Sequence, residues 1–270
     1  MPSTRRPTLR SVALPAEHGG WGLTLEPVLL GLLLAPSLAG LLLGLAALLA
    51  FLLRTPLRLL LLGRKRAARG TSTSTAAGRT RLATRVAVVE AAGLAVAVLT
   101  AGMLAADLRW LLPLAVAAPL LVLAFAFDLR SLSRHLVPEV AGSVATASVA
   151  AAGALAGGAS WELAIGAWLV LSARVASSIP HVRAQIARLH GRGYAATPGL
   201  LGDTSAIVVA AIAVFLERAL LLGAAAIVGL VVVQRITLAR PPRPAKVLGV
   251  RQMALGFAVV GATALGAWLL

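Results

Sequence analysis

Long apolar runs alternate with short arginine-rich stretches along this chain, and that alternation constrains its fold more than any other feature. A helical run of about 20 apolar residues crosses the hydrocarbon layer of a bilayer, and basic residues collect between such runs on the cytoplasmic side. Composition agrees with this reading. Apolar residues make up 59% of the 270 and charged residues 13%, about half the ~25% of a soluble domain. A soluble globule of this size has too much surface to hide so much Leu, Ala and Val.

Nine apolar segments are predicted, over 21–36, 38–53, 86–105, 110–127, 139–156, 162–180, 204–216, 219–235 and 252–269. Their interiors carry small residues such as Gly93, Gly102, Gly142, Ala145 and Gly153, which let helices approach closely in lipid. The fold class is therefore an all-α polytopic transmembrane bundle. With the N-terminus inside, 22 of the 25 Lys and Arg fall on the inner side, and only Arg109 and Arg218 on the outer. A missed or extra span would scramble that split, so the prediction is nine helices, N-terminus in and C-terminus out. The chain is placed in the inner (plasma) membrane as a multi-pass protein.

Residues 1–20 form a cytoplasmic tail with a Glu-His motif, and 21–270 a single transmembrane domain. The first apolar run lacks a small-residue cleavage site, so it is read as a retained helix rather than a signal peptide. Residues 64–81, basic and rich in Ser and Thr, are expected to be a mobile, lipid-facing linker. The net charge of +16 is assigned to loops that touch anionic lipid headgroups. Nucleic acid is excluded as a partner, since the few aromatics provide no stacking platform.

Three polar groups ask for an explanation. Glu17 and His18 stand at the membrane interface before Gly19, Gly20 and Trp21. They form either an entry turn anchored by Trp21 or part of a site. Asp128, Arg130, Arg134, His135 and Glu139 crowd the fourth-to-fifth connection. Glu139 beside Pro138 suits a helix N-terminus, and the same loop suits an anionic headgroup. Arg174 lies well inside the sixth apolar segment, followed by His181 and Arg183. A lone cation in hydrocarbon costs at least ~2.5 kcal/mol. Arg174 must therefore pair with Glu26 or Glu90, the acids of the first and third spans, or line a wet cavity open to the cytoplasm. The cavity is the favoured expectation.

No P-loop, dinucleotide glycine motif, HExxH or GxSxG is present. Glu17, His18, Asp128, His135 and Glu139 are the residues open to a metal, and the reading as plain loop residues is preferred, so no metal site is predicted. The candidate cavity or ligand-binding residues are Glu17, His18, Arg54, Arg58, Asp128, Arg134, Glu139, Arg174, His181 and Arg183. The expected ligand is a lipid-soluble or anionic small molecule, and no cofactor is assigned.

The stretch Pro15, Glu17, His18, Gly19 and Trp21 resembles the opening P-x-E-H-G-x-W of the YwiC-like family of bacterial membrane proteins. Arg134 through Glu139 and Gly142, and the tail around Pro244, Lys246, Gly249 and Gln252, are similar to that family too. The resemblance runs over nearly the whole chain and implies no particular chemistry. More distantly, the chain resembles the UbiA-type intramembrane prenyltransferases, in helix number, inside N-terminus and the Arg134–Gly142 stretch. That resemblance would imply a cytoplasm-facing chamber and Mg²⁺ held by two Asp-rich motifs. Here no D-x-x-x-D occurs. A transferase of this kind would need Arg54, Arg58, Arg174 and Arg183 as the phosphate clamp in place of metal. A small-anion or proton-coupled transporter is the remaining alternative.

Overall fold

The computed structural model describes residues 8–14, 18–70, 74–130, 132 and 134–270. Their regular structure is entirely helical. A short α1 (Arg10–Ala13) precedes α2 (His18–Leu34), α3 (Leu38–Ala68), α4 (Ser74–Leu104), α5 (Leu111–Leu129) and α6 (Leu136–Ala156). Then come α7 (Trp161–Leu189), α8 (Thr197–Leu216), α9 (Leu221–Leu238) and α10 (Ala245–Leu269). Eight of these helices are long and apolar enough to cross a membrane, and α2 adds a shorter apolar stretch, Gly20–Leu34. The protein is an integral, multi-pass membrane protein.

The helices alternate direction, and contacts between turns define two ends. At one end Ala106 N–H donates to the Ala156 carbonyl, joining the α4–α5 turn to α6. Gly157 abuts Ala35 there, and Gly266 abuts Leu222. This end carries Arg109 and Arg218. Asp107 accepts from the Arg109 backbone N–H and guanidinium, both at 2.7 Å. First the backbone bond and then the side-chain bond hold its carboxyl below the usual range. Glu217 caps the next turn by accepting from Ala219 N–H at 3.1 Å, which separates α8 from α9. The opposite end gathers the arginines of α3, α9 and α10 and those of the last turns of α7.

Packing is tightest around α6 and α7, whose apolar stretches are 61% buried against 17% for α5. Small residues make this possible. A methyl group on Gly31 of α2 would lie 2.9 Å from the Ala150 carbonyl of α6, so the two backbones are in direct contact. Trp168 Nε1 donates to the Val144 carbonyl at 2.9 Å, tying α7 to α6.

Two expectations from the sequence are corrected. The spans predicted at 38–53 and 86–105 lie within 31-residue helices, and α8 begins at Thr197 rather than 204. Apolarity marks where lipid ends, whereas Arg, Lys, Ala and Leu continue a helix past that point. For the same reason most of the stretch 64–81 is not an irregular linker. Arg64–Ala68 completes α3 and Ser74–Arg81 opens α4. Gly63 faces Thr80, which keeps the two helices in contact beyond the apolar run.

Candidate functional site

Five polar residues of α7, Arg174, Ser177, Ser178, His181 and Gln185, recur at helical spacing along one face and are all buried. Spacings of three and four put them in one stripe, and here the stripe turns inward. Arg174 Nη2 donates to Glu26 Oε1 of α2 at 2.8 Å and to the Gln252 carbonyl of α10 at 3.0 Å. Gly256, one turn after Gln252, leaves the room for this pair, since a methyl there would collide with the Glu26 carboxylate.

One turn further along, Ser177 Oγ lies 2.6 Å from Asp203 Oδ1 and 2.7 Å from Gln234 Oε1. A hydroxyl has one proton, and the charged carboxylate is the stronger acceptor. Gln234 Nε2 donates to Ser178 Oγ at 3.0 Å and reaches toward Gln252 Oε1 at 3.4 Å. Asp203 Oδ2 also accepts from Arg235 Nε at 2.5 Å. Arg251 Nη2 contacts His181 Nε2 at 3.4 Å and donates to Thr237 Oγ1 at 3.0 Å. The result is a continuous polar column contributed by α2, α7, α8, α9 and α10.

The column ends in a cavity of about 380 Å³ at the arginine-rich end. His181, Arg183, Asp203, Gln234 and Arg235 supply its polar wall, and Leu136, Pro180, Ala184 and Leu238 its apolar wall. The first turn of α8, through Pro198 and Gly199, closes one side. No side chain caps that helix start. Arg183 Nη1 bridges Glu139 Oε2 at 2.9 Å and the Arg134 carbonyl at 2.5 Å, fastening α7 to the start of α6.

The predicted site residues separate into groups. His181 and Arg183 line the cavity, with Glu139 and the Arg134 backbone behind Arg183. Arg174 lies deeper, 4% exposed. The expectation that it lines a wet cavity is corrected, because Glu26 meets its charge. Arg54 and Arg58 form a cluster of their own around Asp128, with Nε–carboxylate distances of 3.0 and 3.5 Å. Glu17 and the side chain of His18 fall outside the described residues. Sequence reasoning passed over Ser177, Ser178, Gln234, Arg235 and Arg251, and named Gln252 only in the family resemblance. The inward stripe was legible in the spacing from Arg174 to Gln185, but a Ser or Gln near a span end excites no suspicion by itself.

A family model described as YwiC-like protein matches residues 14–154, slightly more than half of the chain. The chain belongs to the YwiC-like family. The YwiC-like match takes in the Pro15–Trp21 and Arg134–Gly142 stretches and stops within α6. The tail around Pro244–Gln252 and most of the polar column lie beyond it. No curated protein and no solved structure matches the chain.

The Mg²⁺–diphosphate chemistry implied by the UbiA-type resemblance does not fit these residues. Among the described residues no three His, Cys, Asp or Glu side chains come together as a metal set. Asp107, Asp128 and Asp203 are each engaged by arginine. Two hard cations would need several carboxylates free to ligate them.

Proposed function

We propose that this protein binds an amphipathic anion, which enters the cavity from the arginine-rich, cytoplasmic side of the inner membrane. One observation carries the reading: the column and cavity hold a surplus of cations and of unmet donors. Arg174, Arg235 and Arg251 are offset by two carboxylates, Glu26 and Asp203. Arg174 Nε, Arg235 Nη2, Arg251 Nε and Gln252 Nε2 are buried without an acceptor, against one unmet acceptor here, Gln185 Oε1. Buried donors without partners are costly; Arg235 Nη2 is the one on the cavity wall, where a guest rich in acceptors meets it, and the other three lie in the column behind. The volume lies within the ~300–1,000 Å³ of small-molecule sites. The α8 N-terminus adds partial positive charge. The apolar wall of Leu136, Pro180, Ala184 and Leu238 suits an attached hydrocarbon.

The test uses dodecyl phosphate as probe, with neutral dodecyl maltoside as background, on purified protein. Dodecyl phosphate is expected to raise the melting temperature. Replacing one charge-assisted contact removes about 1.5–3 kcal/mol, so Arg183→Gln or Arg235→Gln should weaken the apparent affinity roughly 10- to 100-fold. An unchanged melting temperature in the wild type, or binding by both variants as tight as the wild type's, would sink the proposal.

A further inference from the structure

Glu90 is the acid that the Arg174 pair leaves over. On α4 the buried positions are Ala83, Ala87, Glu90, Ala97 and Ala101. Their spacing forms one stripe, which packs against α3, while Val88, Val89, Val96 and Leu99 are exposed to lipid. One carboxyl thus interrupts a seam of alanines. It lies fourteen residues from Leu104, about 21 Å at 1.5 Å per residue, well inside a hydrocarbon layer ~30 Å thick. Among the described residues it makes no hydrogen bond or ion pair, and its Oε2 is buried without a partner.

The charged groups of every helix packed on α4 are engaged elsewhere or distant along the bundle. On α3, Arg54 and Arg58 turn to Asp128, and Arg64 and Lys65 lie beyond them and are exposed. The α1 helix brings Arg10 to the arginine-rich end, where Arg79 of α4 reaches the Ser11 carbonyl. Arg81 and Arg85 of α4 are exposed on that side. The titratable residue of α6 is Glu139, at the far end of that helix from its packing with Ala101.

The facing helix contains a reason for the carboxyl. Leu49 of α3 packs against Gly93, and Gly63 against Thr80. This antiparallel register sets Glu90 level with Leu52. Pro56 lies inside α3 and has no N–H, so the Leu52 carbonyl loses its i+4 donor. In lipid a freed carbonyl is met by a donor on a neighbouring helix, a nearby hydroxyl, an ordered water or a local change of helix geometry, and Glu90 is the polar side chain of α4 at this level.

We propose that Glu90 is a proton-binding site within the membrane, holding the neutral acid and donating its hydroxyl to the Leu52 carbonyl that Pro56 releases. A carboxylate has no proton to donate and would face that carbonyl as a second acceptor. An unpaired carboxylate in an apolar seam is also far costlier than the acid. Release of the proton therefore loosens α4 from α3. This inference is independent of the anion cavity, which neither helix lines.

The decisive reagent is dicyclohexylcarbodiimide, applied near neutral pH to the full chain in liposomes and mapped by peptide mass. It partitions into lipid and attacks protonated carboxyls. The acid proton passes to one nitrogen and the carboxyl oxygen bonds the central carbon. An acyl shift from oxygen to nitrogen then leaves a stable N-acylurea, with no leaving group. Glu90 is expected to carry the adduct, with yield falling as pH rises, while a charged, water-soluble carbodiimide leaves it unmodified. Failure to label Glu90 in folded protein, or equal labelling by the water-soluble reagent, overturns the proposal. A stability cycle tests the contact itself. Glu90→Gln keeps a donor and should melt like the wild type, whereas Glu90→Leu should melt lower. Pro56→Ala restores the missing N–H and should abolish the difference between Gln and Leu. An undiminished difference in that background overturns the Leu52 assignment.

Discussion

Arg174 shows how much one residue can demand and how little it can specify. Its charge in an apolar segment required either a carboxylate, with Glu26 and Glu90 offered on equal terms, or a wet cavity, which the sequence favoured. The bundle places Glu26 at 2.8 Å, with both side chains almost fully buried. Removing one member of a buried pair strands the other, typically at a cost of ~3–5 kcal/mol. Arg174→Ala should therefore lower the melting temperature in detergent sharply, and adding Glu26→Gln should restore much of the loss. A single variant as stable as the wild type would mean that water or a ligand, rather than Glu26, meets the arginine charge.

Helices here were recognisable by length and apolarity, but their ends and contacts were not. The polar extensions of α3 and α4 kept helical propensity after hydropathy had fallen away. Glycines in these helices also look alike on paper while standing in opposite surroundings. Gly31 faces the Ala150 carbonyl across a backbone contact, whereas nothing lies within 4 Å of a methyl built on Gly78. Overpacking a tight contact costs about 1–3 kcal/mol, so Gly31→Ala should destabilise by that amount. Alanine at an open helical position gains about 0.5–1 kcal/mol, so Gly78→Ala should be neutral to stabilising. Thermal melts of the two variants side by side check both signs, and similar shifts would contradict the packing.

At the scale of the molecule, the two ends of the bundle differ in charge. Arg109 and Arg218 mark one end, and the cavity, the Arg54–Arg58–Asp128 cluster and the Arg183 bridge occupy the other. Because basic loops are retained in the cytoplasm, the arginine-rich end should face inward. A C-terminal alkaline phosphatase fusion is then expected to be active and a C-terminal green fluorescent protein fusion dark. The reverse pattern would invert the topology and move the cavity mouth to the outer face.

Apolar run length, the clustering of arginine and the abundance of small residues were enough to establish a polytopic helical bundle with one basic end. These are properties of short stretches, and lipid imposes them without reference to neighbouring helices. Which polar groups meet is a different kind of fact. Glu26 and Arg174 are 148 positions apart, Ser177 and Gln234 57, and Arg54 and Asp128 74. Their pairing depends on which helix face turns inward and on the axial register of one helix against the next. Close backbone contacts such as Gly31 on Ala150 and Gly256 beside Glu26 set both. A polar side chain in lipid announces that it has a partner, and only the packed bundle decides which one.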